Sequence, residues 1–389
     1  MPFYQRRGQI PRKRHTQFKK QDGSLYAEEV MGTKGFSGMQ SILYHVYPPT
    51  QIKPAVYLGD WYPECEETGV NQHRHFLTFT QEIKGDPISG RFHQLINDDV
   101  AIATVRPSEE MDYFFRNSDG DEIWFVHSGE GILETIFGDI PYQAGHYLVI
   151  PVGTTYKIKM TSESSRFLII ESAGEVSIPK RYRNEHGQFM EHSPFCERDI
   201  HPPQQLKPQT QKGEYKLRVK ARNQLHEYRY VHHPFDVVGW DGFLFPWAFH
   251  IDDFEPITGS IHQPPPVHQT FSAPGFVVCS FVPRMYDYHP EAIPAPYFHS
   301  NVNSDEVLYY VKGNFMSRKG IQEGSITLHP SGIPHGPHPG KIEASIGKTR
   351  TEELAVMVDT FKPLRVTKQA LQMEAEGYMK SWLPPEEEE

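Results

Sequence analysis

Short hydrophobic runs that are separated by Gly, Pro and Asp dominate the chain and predict β-strands. The clearest runs lie at 148–152, 167–171, 276–282 and 307–311, and they are rich in β-branched or aromatic residues. Such residues favour the pleated surface of a sheet, whereas the 33 prolines and 30 glycines interrupt helices. The best helical pattern is confined to 368–380, near the C-terminus. The pattern therefore predicts an all-β fold with a few peripheral helices.

Composition and charge narrow the possible functions. With 389 residues the chain is long enough for two or three domains, and 49 acidic against 39 basic residues give a net charge of −10. This balance argues against nucleic acid or an anionic membrane as a partner. Without a long apolar stretch or a signal pattern, we expect a cytoplasmic protein with no membrane span. The widely spaced Cys65, Cys196 and Cys279 are interpreted as reduced thiols.

Two sequence blocks of the first half recur in the second half. One block has Asn, Glu and Gly at a fixed spacing, and the other begins with Gly and ends with Pro six residues later. The copies are Asn117, Glu122, Gly129 and 145–151 in the first half, and Asn301, Glu306, Gly313 and 324–330 in the second half. The blocks resemble the two characteristic motifs of the cupin superfamily, whose fold is a small jelly-roll barrel. The repeat therefore predicts a bicupin with two jelly-roll β-barrel or β-sandwich domains.

Three side chains of the second copy have the spacing of a 2-His-1-carboxylate metal site: His299, Glu306 and His335. Such a triad binds Fe(II) on one face and leaves the opposite face open for a substrate oxygen and O2. Glu306 is preferred to Asp305 as the carboxylate ligand, because neighbouring residues on a strand face opposite sides. His338, three residues after His335, is expected on an outward loop and not as a ligand.

The first copy lacks this ligand set. Phe115 stands where the second copy has His299, and Tyr156 stands where it has His335, while Glu122 is retained. A glutamate with a phenylalanine and a tyrosine does not replace two imidazoles and a carboxylate as an Fe(II) site. The first barrel is therefore predicted to be metal-free and structural, with Glu122 serving the strand turn.

Further motifs resemble those of a known family. The segments 236–242, 296–301 and 334–337, together with His262 and the proline-rich segment after it, are similar to homogentisate 1,2-dioxygenase. The resemblance runs over most of the chain. It implies an Fe(II)-dependent enzyme of tyrosine and phenylalanine catabolism that cleaves the ring of homogentisate with O2 to give maleylacetoacetate. It also implies a small aromatic substrate as the binding partner and a homo-oligomer, either a trimer or a hexamer.

The resemblance also implies roles for individual residues. His262 falls where the family has its acid/base histidine, which exchanges a phenolic proton, although a loop histidine that only caps backbone carbonyls remains the alternative. His335 and His329 are expected beside the substrate, and Tyr297 is expected to present its hydroxyl to a ligand or to the substrate. Phe315 stands where familiar members have a tyrosine that hydrogen-bonds the substrate, which indicates a divergent, bacterial-type member.

The predicted domains divide the chain near residue 250. An N-terminal β domain, 1–250, contains the degenerate cupin core at about 90–175 and a long excursion at about 178–218. The catalytic cupin, 251–389, ends in the C-terminal helix. Three alternatives to homogentisate cleavage stay open: an extradiol-type dioxygenase of another hydroquinone such as gentisate, a non-catalytic bicupin binding protein, and a metal-dependent isomerase.

Overall fold

The computed structural model describes residues 3–313, 315, 318 and 320–383. These residues form 27 strands and one α-helix of four residues, which confirms the predicted all-β class. None of the helical segments within these ranges has the length and hydrophobicity that a bilayer span requires. The three cysteines are free.

The described residues contain 27 strands, one α-helix and eight short 3-10 helices. The first half contains β1 (Gln5–Gly8), β2 (Ala27–Gly32), β3 (Gln40–His45), β4 (Ile52–Asp60), β5 (Arg74–Phe76), β6 (Phe92–Ile96), β7 (Val100–Val105), β8 (Phe114–Asn117), β9 (Asp121–Ser128), β10 (Gly131–Thr135), β11 (Ile140–Tyr142), β12 (His146–Ile150), β13 (Thr155–Met160), β14 (Arg166–Ser172), β15 (Ile200–His201), β16 (Lys212–Ala221), β17 (Gln224–His232), β18 (Val237–Gly242) and β19 (Trp247–His250). The second half contains β20 (Gln269–Ala273), β21 (Phe276–Phe281), β22 (Arg284–Met285), β23 (Asp305–Lys312), β24 (Ile326–His329), β25 (Arg350–Thr351), β26 (Leu354–Thr360), β27 (Arg365–Val366) and α1 (Lys368–Leu371). Short 3-10 helices lie at Lys34–Phe36, Thr78–Thr80, Lys180–Tyr182, Glu197–Asp199, Ile251–Asp253, Pro265–His268, Glu343–Ser345 and Tyr378–Trp382.

The first barrel is built from two sheets with strand orders β15-β19-β12-β9-β14-β7-β6-β27 and β11-β10-β13-β8-β16-β17-β4. Side chains from both sheets, such as Trp124 from one and Phe115 from the other, form a common hydrophobic core. The second barrel is built on a six-stranded sheet of order β20-β21-β26-β23-β24-β5. The four hydrophobic runs predicted from sequence correspond to β12, β14, β21 and β23. The structure is therefore a bicupin.

Each barrel takes one strand from the other half of the chain. β5, from the first half, pairs with β24 at the edge of the six-stranded sheet, where Arg74 lies opposite Leu328. β27, from the second half, pairs with β6 at the edge of the eight-stranded sheet, where Val366 lies opposite Leu95. One hydrophobic core contains residues of both halves. The predicted division near residue 250 therefore does not separate the two barrels completely, because each half contributes a strand to a sheet of the other half.

The predicted helix at 368–380 is correct only for its first turn. α1 ends at Leu371, and the chain then runs beside β5. The Met373 carbonyl accepts a hydrogen bond from Leu77, and the Ala375 amide donates to a β5 carbonyl. Pairing with a strand uses the backbone groups that a continued helix would need, so the helical prediction is wrong between α1 and the 3-10 helix at Tyr378–Trp382.

The predicted excursion at 178–218 is shorter than expected, because its last part belongs to β16. Before β16 the segment has little regular structure and crosses to the second barrel. There Arg181 donates hydrogen bonds to the Gln269 side chain at 2.5 Å and to the Pro266 carbonyl at 2.6 Å. The excursion therefore ties the first barrel to the start of β20.

A buried arginine lies inside the first barrel beside the retained glutamate. Arg91 donates to Glu122 at 2.7 Å and to the Tyr156 hydroxyl at 3.2 Å, and Tyr156 donates to the other Glu122 oxygen. The Arg91 guanidinium also lies over the rings of Phe115 and Trp124. Glu122 has no solvent exposure, so water cannot stabilise its charge, and the Arg91 guanidinium balances it inside the barrel. The prediction that Glu122 serves the strand turn is therefore wrong.

A second buried pair extends this network. Lys220 contacts Glu171, and the Tyr62 hydroxyl donates to the same Glu171 oxygen at 2.5 Å. Glu171 lies opposite Glu122 on the neighbouring strand. Two adjacent carboxylates in the first barrel are thus each matched by a side-chain cation.

Replacing Arg91 by Met should destabilise the protein, because Glu122 would be buried without its cation. We expect Arg91→Met to lower the free energy of unfolding by about 3–5 kcal/mol, measured by urea denaturation. The double variant Arg91→Met/Glu122→Gln should lose less, because it leaves no lone buried charge at this position. Equal losses in the single and the double variant would contradict the ion pair.

Candidate metal centre

The second barrel brings His299, Glu306 and His335 together. Glu306 lies on β23, whereas the two histidines lie in extended segments that pair with each other: the His299 amide donates to the His335 carbonyl at 2.8 Å, and the reverse bond measures 2.9 Å. This reciprocal bridge places the two imidazole rings side by side, with centroids 4.2 Å apart. In the first barrel Tyr156 lies opposite Phe115 in the same way. The correspondence read from the repeat is therefore also structural.

The ligand atoms of the three side chains converge. The Nε2 atoms of His299 and His335 lie 3.5 and 3.3 Å from Oε2 of Glu306, and the three ligand atoms all lie within 4.8 Å of one another. Two ligands at right angles and about 2.1 Å from one ion would lie about 3 Å apart, so one ion fits among these atoms. Two imidazoles and one carboxylate are the donor set of a non-haem Fe(II) site.

Hydrogen bonds leave the metal-facing atoms of the histidines available. Nδ1 of His299 donates to the Tyr297 carbonyl at 3.1 Å, which leaves Nε2 with its lone pair. His335 is buried, and within the described ranges neither of its ring nitrogens has a hydrogen-bond partner. A buried imidazole without a partner is costly unless a ligand satisfies it. The residues present therefore fit a metal ion.

Glu306 is the centre of the cluster. Burial by itself would raise the pKa of its carboxyl group, but the close contacts with the imidazoles of His299, His329 and His335 hold that pKa well below its usual range. Its Oε1 accepts a hydrogen bond from Nδ1 of His329 at 2.7 Å. Oε2 is thus the oxygen that faces the two histidines of the bridge. The carboxylate is ionised and oriented to bind a cation through one oxygen.

His329 lies behind Glu306 and is fully buried. Burial lowers the pKa of its imidazole to about 3, so the ring is neutral at ordinary pH. Its Nε2 lies 3.2 Å from the Tyr378 hydroxyl. The sequence places His329 beside the substrate, whereas its contacts in the structure give it a supporting position against the carboxylate.

A row of polar side chains crosses the sheet at the level of Glu306. His329 and Asp359 lie opposite Glu306 on the neighbouring strands β24 and β26, and the His73 ring packs edge to face on His329. Burial and the charge of Glu306 raise the pKa of Asp359 to about 7. Sequence reasoning missed both outer members. His73 comes from the other half of the chain, and Asp359 stands outside both repeated motifs.

His262 and Tyr297 lie on the exposed side of the cluster. The His262 side chain is half exposed, its Nδ1 lies 3.2 Å from Oδ2 of Asp287, and its ring packs edge to face on Tyr297. The Tyr297 ring packs in turn on His299, with centroids 5.9 Å apart. His262 is therefore separated from a predicted ligand by one aromatic ring. Tyr297 contacts that ligand through its carbonyl and its ring. That its hydroxyl faces the substrate stays a prediction.

Phe315 is buried in a small hydrophobic cluster with Tyr310 and Ala355. Its ring packs edge to face on Tyr310, with centroids 4.6 Å apart. The phenyl ring offers no hydrogen-bond donor at the place where familiar members of the resembled family have a hydroxyl. Phe315 therefore gives this part of the barrel a hydrocarbon face without a hydroxyl of its own.

Asp305 and His338 lie near predicted ligands in the sequence but outside the cluster itself. Asp305 faces away from the cluster, as predicted, and accepts hydrogen bonds from the amides of Ser331 at 2.8 Å and Leu364 at 2.7 Å. His338 is buried, with its ring 4.3 Å from the Trp382 ring. The prediction of an outward loop for His338 is therefore wrong, because the C-terminal segment covers it.

Comparison with solved structures and named proteins gives relatives over nearly the whole chain. A protein of Saccharolobus solfataricus named "Putative dioxygenase" is 43% identical over 98% of this chain and 99% of its own length. The homogentisate 1,2-dioxygenase of Mus musculus is 25% identical over 93% of this chain and 88% of its own. A cupin barrel domain protein of Leptotrichia buccalis matches 76% of this chain and 99% of its own, with a TM-score of 0.33 and 10% identity.

Two family models cover the sequence. The model of the homogentisate 1,2-dioxygenase N-terminal domain matches residues 6–251, and the model of the C-terminal domain matches residues 248–388. The low identity to the relatives that carry this name agrees with a divergent member. The chain belongs to the homogentisate 1,2-dioxygenase family.

Proposed function

We propose that this dioxygenase uses Fe(II) to cleave homogentisate with O2 to maleylacetoacetate, in the catabolism of tyrosine and phenylalanine. The observation that carries the proposal is the convergence of His299, Glu306 and His335 in the second barrel. Relatives that are named homogentisate 1,2-dioxygenase support the choice of substrate.

The three predicted ligands differ in exposure, and this difference separates the metal-binding side of the site from the side that substrate can reach. When bound, Fe(II) supplies a Lewis acid with open positions at which a ring oxygen and O2 meet. The His335 side chain is only 2% exposed and the Glu306 side chain 11%, whereas that of His299 is 34% exposed. This difference indicates that an aromatic substrate approaches from the side of His299. Tyr297 and His262 line that side and offer it ring faces.

His262 is our candidate for the acid/base residue. Its Nδ1–H donates to the Asp287 carboxylate, so Nε2 carries the lone pair that takes a proton from a phenolic hydroxyl and later returns it. The carboxylate also holds the imidazole ring in one tautomer. Since Tyr297 separates His262 from His299, the proton acceptor stands beside the metal ligands without being one of them.

A second candidate is the cleavage of another hydroquinone, such as gentisate. Phe315 favours this candidate, because a phenyl ring replaces the tyrosine that hydrogen-bonds the substrate in familiar members of the family. The relative from Saccharolobus solfataricus has no substrate in its name. The two candidates share the same metal centre and differ only in the group that the barrel wall must recognise.

The proposed enzyme is a cytoplasmic homo-oligomer, a trimer or a hexamer, that binds neither nucleic acid nor membranes. The net charge of −10 supports the absence of polyanionic partners. β4 is the last strand of its sheet and exposes Val56, Tyr57 and Leu58, which supports a contact with a second copy of the chain.

Oxygen consumption by the iron-loaded protein should be fastest with homogentisate. Gentisate and unsubstituted hydroquinone serve as comparison substrates, and maleylacetoacetate is followed by its absorbance. Faster turnover of gentisate would favour the second candidate. An iron-loaded protein that consumes no oxygen with any of the three would contradict cleavage of a hydroquinone ring.

Iron should bind to the second barrel only, at one ion per chain. Glu306→Gln should abolish binding, because it removes the charged ligand, whereas the double variant Arg91→Met/Glu122→Gln, which removes the equivalent glutamate of the first barrel together with its cation, should leave the iron content unchanged. Metal analysis after anaerobic loading and desalting measures both. Two ions per chain, or iron loss in the first-barrel double variant but not in Glu306→Gln, would overturn the assignment.

His262→Gln should keep its iron and lose turnover. We expect kcat to fall about 10²–10⁴-fold, the range for loss of a general acid/base group, with oxygen consumption and iron content measured on the same sample. His186→Gln, a substitution of the same kind at an exposed site, serves as the control. Loss of iron from His262→Gln would instead indicate a structural role.

A further inference from the structure

The C-terminal segment is held against the metal centre by its own hydrogen bonds. After α1, residues 373–375 pair with β5, and Gly377 then turns the chain through a left-handed conformation with φ of +76°. The 3-10 helix that follows starts with Tyr378, whose side chain is buried between the barrel and Trp382. A residue far from the ligands in sequence thus arrives beside them.

Tyr378 and Glu306 contact different ring nitrogens of His329. The Tyr378 hydroxyl lies 3.2 Å from Nε2 of His329, and Nδ1 of His329 lies 2.7 Å from Oε1 of Glu306. An ionised carboxylate only accepts hydrogen bonds, so Nδ1 must carry the proton of the neutral ring. Nε2 is then an acceptor, and the hydroxyl of Tyr378 is the donor. For a ring that carries one proton, this is the only direction of the three-member chain that gives both hydrogen bonds.

We propose that Tyr378 is a positioning residue of the metal centre, which fixes the tautomer of His329 so that His329 holds Oε1 of Glu306 and leaves Oε2 for the ion. The inference rests on the proposed function, because it assumes that Glu306 binds a metal. Groups that orient a ligand in this way strengthen metal binding without touching the ion. Tyr378 therefore acts on the metal through His329 and Glu306.

The same segment also holds the chain that follows His335. The indole of Trp382 donates to the Gly336 carbonyl at 3.0 Å, and the Ser381 hydroxyl lies 3.1 Å from Nε2 of His338. Arg318 donates to the same Gly336 carbonyl at 2.6 Å. The C-terminal segment thus supports two of the three predicted ligands by separate routes.

The alternative is that Tyr378 only fills space. Its ring is nearly parallel to that of His329, with centroids 6.2 Å apart, and it packs on His75 and Trp382. A phenylalanine would keep these ring contacts and lose only the hydroxyl. The substitution Tyr378→Phe therefore separates positioning from packing.

The test measures Fe(II) affinity by competition with a chelator under anaerobic conditions. We expect Tyr378→Phe to weaken binding about 10–100-fold, the range for loss of a group that orients a ligand. Tyr309→Phe is the matched control: Tyr309 is a buried tyrosine of the same barrel whose hydroxyl lies 2.9 Å from Nδ1 of His127, a histidine outside the metal centre. This control should bind iron as the unmodified chain does.

A double-mutant cycle with His329→Leu tests the route of the effect. If Tyr378 acts through His329, Tyr378→Phe should cause no further loss of affinity in the His329→Leu background. Stability towards urea is measured for every metal-free variant, so that a general loss of folding is recognised. An additive loss in the double variant would overturn the relay.

The outcomes also separate this inference from the proposed function. If the unmodified chain binds no Fe(II), or binds it equally well after Glu306→Gln, the metal centre itself is wrong. If binding depends on Glu306 but Tyr378→Phe behaves as Tyr309→Phe does, the metal centre stands and the positioning role of Tyr378 is excluded.

Discussion

The reciprocal backbone bridge between His299 and His335 is the constraint on which the rest of the site depends. Both residues lie in segments with little other regular structure, and the bridge fixes the direction of both side chains. Glu306 then needs only the register of an ordinary strand to face the two imidazoles. The backbone bridge and the strand register together therefore bring the three ligands to one place.

The two barrels differ in how the charges of their buried carboxylates are balanced. Each carries two acids on neighbouring strands, Glu122 and Glu171 in the first barrel and Glu306 and Asp359 in the second. In the first barrel the acids are matched by cations of the protein itself, one of them the guanidinium of Arg91. In the second barrel the histidines leave room for an external ion. One barrel architecture thus yields a closed interior and an open site.

The sequence was sufficient for the parts of the molecule that repeat. The spacing of the two copies located both barrels and the three side chains that converge, because register within a barrel follows from its motifs. Contacts between distant segments could not be predicted: His73 and Tyr378 reach the site from opposite ends of the chain, and Arg91 lies outside both motifs. The helix at 368–380 failed for the same reason, because pairing with β5 overrides local propensity.

The exchange of β5 and β27 means that neither half of the chain is a self-sufficient unit. A fragment that begins near residue 250 would lack β5 and would present the bare backbone of β24 to solvent. Such an open edge recruits strands from other molecules. Separately produced halves would therefore tend to aggregate, and a single proteolytic cut between the barrels would leave two pieces that still hold each other.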